Sequence, residues 1–346
     1  MAGQRHAGDA GNARYAVSLV SALAATAAPG DDAWALTAHP GGIAQLPDGV
    51  PHAGVGAGNA ARLLRGAPAV LRAIRARAAV FTYIAPPRPG MPVALAVHDA
   101  SFMTHPEWLS ARARALLRTL VPRSARAAAT VLALSETAKA EIVDALGVPA
   151  DRVRVVTPAP APWFGVADGA EDRVAARFGL RRYCLAVGDL GPRKNLPALA
   201  SAMGLLGDPD LELVLAGQPG GAEGALAGAP RVRLLGRVTD TELADLYRAA
   251  AVTAFPSLHE GFGLPAAEAL ACGSPLVVSD RGALPEVVGD AAIVTAPDPG
   301  ALAEGLRAAL EPATADRLRA AGPARAAGLT PERMGTEAWA ALKEAG

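Results

Sequence analysis

The chain has 346 residues, more than one hydrophobic core ordinarily serves, so two domains are expected. Apolar residues make up 51% and charged residues 19%, which excludes intrinsic disorder. Lys plus Arg (33) equals Asp plus Glu (33), which excludes a net field toward nucleic acid or an anionic membrane but leaves local patches open.

In chain order, Met1 to Gly11 has no apolar run able to form a buried strand, and a helix is expected from about Asn12 or Arg14. A doubly wound domain normally opens with a central strand, so that strand is expected to be absent. Either the natural protein begins upstream of Met1, or the first domain closes around five strands with residues 1–11 irregular. Strands are expected near Trp34–Ala38, Ala79–Tyr83, Val93–Val97, Thr130–Leu134 and Arg152–Val156, with clear helices at Arg112–Ala129 and Glu136–Leu146. Alternating prolines in Thr157–Phe164 forbid a helix and mark a linker. Beyond it, strands are expected at Tyr183–Gly188, Glu212–Gly217, Val232–Gly236, Val252–Ser257, Pro275–Asp280 and Ala291–Thr295, each followed by a helix. This βα repeat predicts an α/β protein of two doubly wound parallel sheets, with domains at 1–164 and 165–328 and a C-terminal helix at 329–346 that packs back toward the first domain.

Cys184 and Cys272 have no metal-ligand spacing and read as small buried hydrophobes, which fits a reducing compartment. Apolar runs fall short of the ~20 residues a membrane span needs, and the N-terminus lacks a signal-peptide core. The expected location is the cytoplasm, with peripheral association at the inner face of the membrane left open and no nucleic-acid partner.

Ligands of open parallel sheets bind at the carboxyl ends of strands, and the unusual residues follow strands here. In Phe255-Pro-Ser-Leu-His-Glu-Gly-Phe-Gly-Leu-Pro-Ala-Ala-Glu268, Pro265 suits a helix start and Gly273 its end. The loop Gly261-Phe262-Gly263-Leu264 lets backbone NH groups approach an anion at the positive end of that helix. Glu260 and Glu268 flank the loop and can accept hydrogen bonds from sugar hydroxyls. An acid in a first helical turn is also favoured with no ligand present, which is the plainer account of Glu268. In Gly188-Asp-Leu-Gly-Pro-Arg-Lys-Asn195, Arg193 and Lys194 precede a helix whose N-terminus repels cations, a conflict that a bound diphosphate would remove. The competing account is two solvated surface cations.

These segments, with Val232–Asp240 and Ala271–Pro275, resemble the retaining glycosyltransferases of family 4, and Glu260 and Glu268, eight apart, match that family's EX7E motif. Weaker matches are Gly11-Asn-Ala-Arg-Tyr15, Val97-His-Asp99, Pro106-Glu-Trp108 and Leu134-Ser-Glu136. The resemblance implies the GT-B architecture, two Rossmann-like domains facing a central cleft, and retaining transfer of a hexose from a nucleotide-diphosphate sugar without a metal. It gives Arg193 and Lys194 to the donor diphosphate and Glu268 to the ribose. Glu260 and the backbone from Phe262 to Leu264 go to the sugar, Arg237-Val238 to the base, and His98 to the reacting sugar from the other domain. Gly188 and the N-terminal glycine loop at Gly11 complete the set. The acceptor, whether glycan, lipid-linked sugar or small molecule, stays unnamed. Two departures stand out: Asp189 where many members have arginine, and Thr157-Pro-Ala-Pro at the domain junction.

Asp208-Pro-Asp210 matches the metal-binding text of GT-A transferases, but it precedes a strand and so belongs to the amino edge of its sheet. A dinucleotide-dependent oxidoreductase is set aside because no Gly-X-Gly-X-X-Gly turn follows a strand. A GT-B sugar-nucleotide epimerase and an inactive sugar-nucleotide-binding partner subunit remain the rival readings.

Overall fold

The computed structural model describes residues 9–37, 46, 48–56, 58–218, 220, 226 and 231–345. The chain divides into two units, one built from Ala10–Ala159 with Pro331–Gly346 and the other containing Pro160–Thr330.

The first unit begins with α1 (Asp9–Ala25), β1 (Ala35–Thr37) and β2 (His52–Gly54), followed by α2 (Ala67–Ala73), β3 (Ala79–Thr82) and β4 (Val93–Ala96). It continues through α3 (Ala111–Ala127), β5 (Thr130–Ala133), α4 (Glu136–Leu146) and β6 (Val153–Val155). β1 and β2 pair in parallel, and β3-β4-β5-β6 form a separate parallel sheet in sequence order. β4 and β5 are buried at every position, the mark of parallel strands covered on both faces. Ser135 starts α4 by accepting from the Ala138 amide at 3.0 Å, and left-handed Gly147 ends it.

Two expectations change here. α1 begins at Asp9, ahead of Asn12, and the described strands form sheets of two and four instead of one sheet of five. β2 was not expected from sequence. The expected absence of an opening strand falls partly on residues 1–8, which lie outside the described residues.

The second unit comprises α5 (Ala170–Phe178), β7 (Tyr183–Val187), α6 (Leu196–Leu206), β8 (Glu212–Ala216), β9 (Val232–Gly236), α7 (Asp240–Ala249) and β10 (Val252–Phe255). After these come α8 (Leu264–Ala271), β11 (Leu276–Ser279), β12 (Ile293–Thr295), α9 (Pro299–Leu310) and α10 (Pro312–Ala326). Its six strands are all parallel in the order β12-β11-β10-β7-β8-β9. The chain leaves β7 toward β8 and β9, then returns to build β10 on the other side of β7. That reversal makes the β7/β10 boundary a topological switch point, where the loops diverge and leave a crevice. Two apolar layers cover the sheet, one with Tyr183, Leu246, Tyr247 and Leu270, the other with Leu199, Leu213, Leu302 and Leu306.

The last helix, α11 (Pro331–Ala345), belongs to the first unit. Its Trp339 indole donates to the Leu23 carbonyl at 3.0 Å, and its Glu337 carboxylate accepts from the Thr157 amide at 2.7 Å.

Candidate functional site

At the switch point β7 leads into Gly188 and β10 into Pro256-Ser257, and a crevice between them is lined by Gly188, Asp189, Lys194, Pro256 and Ser257. Gly188 has φ +140°, and a Cβ on it would come within 2.8 Å of Lys194 Cε. Glycine is required there because the lysine stem lies across the backbone. Pro192–Lys194 form a 3-10 turn, and Asn195, left-handed at φ 52°, starts α6. The Asn195 amide donates to the Pro256 carbonyl at 3.2 Å and the Pro297 carbonyl at 2.7 Å, and the Leu258 amide donates to the Arg193 carbonyl at 2.8 Å. The turn is thereby fastened to the loop after β10.

That fastening brings three charges together. Glu260 accepts from Lys194 Nζ at 2.7 Å, from Arg193 Nη1 at 2.7 Å and from the Ser257 hydroxyl at 2.8 Å. Arg193 also donates to the His259 carbonyl at 2.8 Å. Lys194 and Glu260 are buried, whereas the Arg193 side chain is 28% exposed. Burial alone would raise the Glu260 carboxyl, but the two cations and their hydrogen bonds outweigh it and hold the group well below the usual carboxylate range. The conflict expected of two cations before a helix is therefore resolved inside the protein, by Glu260.

The loop Gly261-Phe262-Gly263 is buried and leads into α8, which begins at Leu264 behind left-handed Gly263. This segment lies at the N-terminus of α8, the positive end of the helix dipole. Glu268 lies beyond the first turn, 1% exposed, and accepts from the Tyr247 phenol at 3.4 Å. The first-turn explanation for an acid there does not apply. Gly282 closes the far wall: at φ +58°, its Cβ would fall 2.4 Å from the Glu260 carbonyl oxygen. At the ends of β8 and β9, the Gln218 amide oxygen, in the orientation that satisfies both groups, accepts from Arg237 Nε at 2.8 Å. Val238 packs its side chain against the core. The loop that continues from Gln218 lies largely outside the described residues.

His98 follows β4 in the first unit, walled by the rings of Tyr15 at 4.5 Å and Tyr83 at 5.2 Å. Burial lowers its pKa to about 4, against a smaller upward pull from Asp99. Its Nε2 and the Tyr15 hydroxyl are buried without a hydrogen-bond partner among the described residues. Gly11 lies in the first turn of α1.

Within the second unit, then, the fold gathers Gly188, Arg193, Lys194, Glu260 and the glycine loop at one sheet edge, with Arg237 at the ends of the neighbouring strands. Glu268 is placed one helical turn further in, on Tyr247. Sequence reasoning missed Ser257, Asn195 and Gly282 as parts of this arrangement. Asp208 sits before β8 at the opposite edge, paired with Arg182 at 2.6 Å, where it serves a surface ion pair.

Two family models match the chain: Glycosyltransferase Family 4 over residues 11–159, and Glycosyl transferases group 1 over residues 181–312. The O-antigen chain mannosyltransferase B of Escherichia coli is 34% identical over 214 residues, which are 58% of this chain and 56% of that protein. The D-inositol 3-phosphate glycosyltransferase of Mycolicibacterium gilvum is 38% identical over 154 residues, 39% of this chain and 34% of that one. The chain thus matches about half, or less, of the length of these relatives. Among solved structures, Anabaena Alr3699/HepE in complex with UDP and glucose superposes with a TM-score of 0.75 at 16% identity, covering 98% of each chain. With both units matched, the chain belongs to the group 1, family 4 glycosyltransferases and has their GT-B architecture.

Proposed function

We propose that this chain transfers a hexose from a nucleoside-diphosphate sugar to an acceptor with retention of anomeric configuration, and that it needs no metal for the chemistry. The observation that carries the proposal is the buried Lys194–Glu260 pair, joined by the partly exposed Arg193, beside the N-terminus of α8 at the switch point. Two cations and a row of amides suit a leaving diphosphate, while a carboxylate among them suits the hydroxyls of the sugar being transferred.

Lys194 and Arg193 stabilise negative charge on the diphosphate as the glycosidic bond to phosphate breaks. The acceptor oxygen attacks from the same face, and its proton passes to the departing phosphate oxygen. No protein base is obligatory. Glu268 takes the ribose, the Arg237-Val238 segment takes the base, and His98 contacts the reacting sugar. Mannosyl transfer by one relative and the UDP complex of a structural neighbour favour a hexose donor. The acceptor is a glycan, a lipid-linked sugar or a small molecule.

Thermal shift against UDP, GDP, ADP and dTDP sugars selects the donor, and product NMR then reads the anomeric configuration. A glycosyl product that forms only with acceptor, keeps the donor configuration and survives EDTA supports the proposal. An inverted product, a strict Mg or Mn requirement, or epimerised donor with no transfer overturns it.

A further inference from the structure

On the reading of this crevice as a sugar-nucleotide site, we propose that Ser257 is a positioning residue of the transfer reaction. Its hydroxyl keeps the Glu260 carboxylate in place once a diphosphate draws away the two cations that hold it in the free protein.

Among the described residues three side chains donate to Glu260. Lys194 Nζ and the Ser257 hydroxyl share Oε1 at 2.7 and 2.8 Å, and Arg193 Nη1 takes Oε2 at 2.7 Å. Lys194 and Arg193 are the donors that a diphosphate attracts, because it carries more negative charge than a carboxylate. Water is a poor replacement for them at a side chain as buried as Glu260. Ser257 is uncharged and completely buried, so it is the donor that stays.

The mount of this hydroxyl is fixed on both sides. Ser257 follows β10; ahead of it the Pro256 carbonyl accepts from the Asn195 amide at 3.2 Å, and after it the Leu258 amide donates to the Arg193 carbonyl at 2.8 Å. Its own carbonyl accepts from the hydroxyl of Ser279, the last residue of β11. Glu260 is pinned at its backbone too, where its carbonyl accepts from the Ala283 amide at 2.8 Å. What remains free in Glu260 is rotation of its side chain, and Ser257 restrains that rotation with or without the cations. The restraint matters most during transfer, since a displacement of about 1 Å in a group that orients substrate can cost about a hundredfold.

The test is a double-mutant cycle on the full chain, with Ser257→Ala made alone and together with Glu260→Gln. It is read by calorimetry with UDP and with GDP, and by transfer from the donor that thermal shift selects. Alone, Ser257→Ala should weaken nucleoside-diphosphate binding about fivefold or more, because the bound state strands a buried carboxylate without a donor. In the Glu260→Gln background the same change should alter binding by less than about twofold, since no charge is stranded. Transfer by the single variant should fall about tenfold or more. Equal weakening in both backgrounds overturns the proposal, as does wild-type binding or wild-type transfer in Ser257→Ala. A wild-type chain that binds no nucleoside diphosphate would instead overturn the reading of the crevice, and the role of Ser257 with it. Thermal unfolding confirms that each variant is folded at the assay temperature. Should Ser257→Ala fail that check, Ser257→Cys, a weaker donor at the same place, is carried through the same cycle.

Discussion

Lys194 Nζ stands 2.7 Å from Glu260 Oε1, both side chains are buried, and sixty-six residues separate them in sequence. The lysine is aimed by this contact before any ligand arrives, so its side chain needs no large rearrangement to meet a diphosphate. The same contact gives Lys194 two duties. Lys194→Met should lower kcat/KM by about 10² to 10³, the level at which preorganised transition-state contacts act. It should also lower stability by several kcal/mol, because Glu260 loses a partner in a buried site. The double variant Lys194→Met/Glu260→Gln separates these effects, since the buried carboxylate goes together with the buried lysine and only Arg193, 28% exposed and able to reach water, loses its charged partner. Urea unfolding should show most of the stability regained while activity stays lost. A double variant as unstable as the single one would mean the pair is not the origin of the loss.

Glu260 competes with a diphosphate for the same two cations. Glu260→Gln keeps the volume and removes the competing charge. We expect UDP or GDP, whichever the protein prefers, to bind the variant severalfold tighter by calorimetry while sugar transfer falls at least a hundredfold. Weaker nucleotide binding together with lost transfer would assign Glu260 a mainly structural role.

The strand ends that build this site were legible because runs such as Tyr183–Val187 and Val252–Phe255 are apolar but for Thr253, as expected of parallel strands covered on both faces. β2 was not, because His52-Ala-Gly54 carries no strand signal of its own and exists through pairing with β1. The glutamates and cations were legible as residue types beside glycine loops. Their mutual contact was not, since nothing local distinguishes a cation awaiting phosphate from one already paired across the sheet edge. Glu268 misled for a related reason: sequence placed it near a helix start, and only the helix boundary puts it past the first turn.

Acid should act on the protein in two windows. Folded His98 titrates at about 4 against an ordinary 6.5, so the unfolded chain takes up this proton first. Its contribution is full above pH 6.5 and is lost as pH falls toward 4, in total about 3 kcal/mol. The Glu260 carboxyl is also depressed, from an ordinary 4.5, so its contribution persists above that value and is lost as pH falls below it. Urea unfolding across pH 7 to pH 4 should therefore show a slope that His98→Gln flattens mainly above about pH 4.5. An unchanged slope in that variant would place the sensitivity elsewhere.

Asn195 supplies the last prediction, because it joins backbone geometry to the position of the lysine before it. Its φ of 52° is one that asparagine tolerates better than most residues, and its amide bridges the Pro256 and Pro297 carbonyls. Two substitutions take these contributions apart. Asn195→Gly keeps the left-handed backbone at no steric cost but loses both bridges, whereas Asn195→Ala loses the bridges and adds strain of about 1 kcal/mol. Asn195→Ala should thus melt below Asn195→Gly. If the bridges position Lys194, both variants should lose turnover by a similar factor of about ten or more, because a small misplacement of a charge-stabilising group is costly in the transition state. Stability would then differ between the two while kcat/KM would not. A glycine variant with normal kcat/KM would show that the left-handed turn alone is enough to aim the lysine, and that the amide serves the fold.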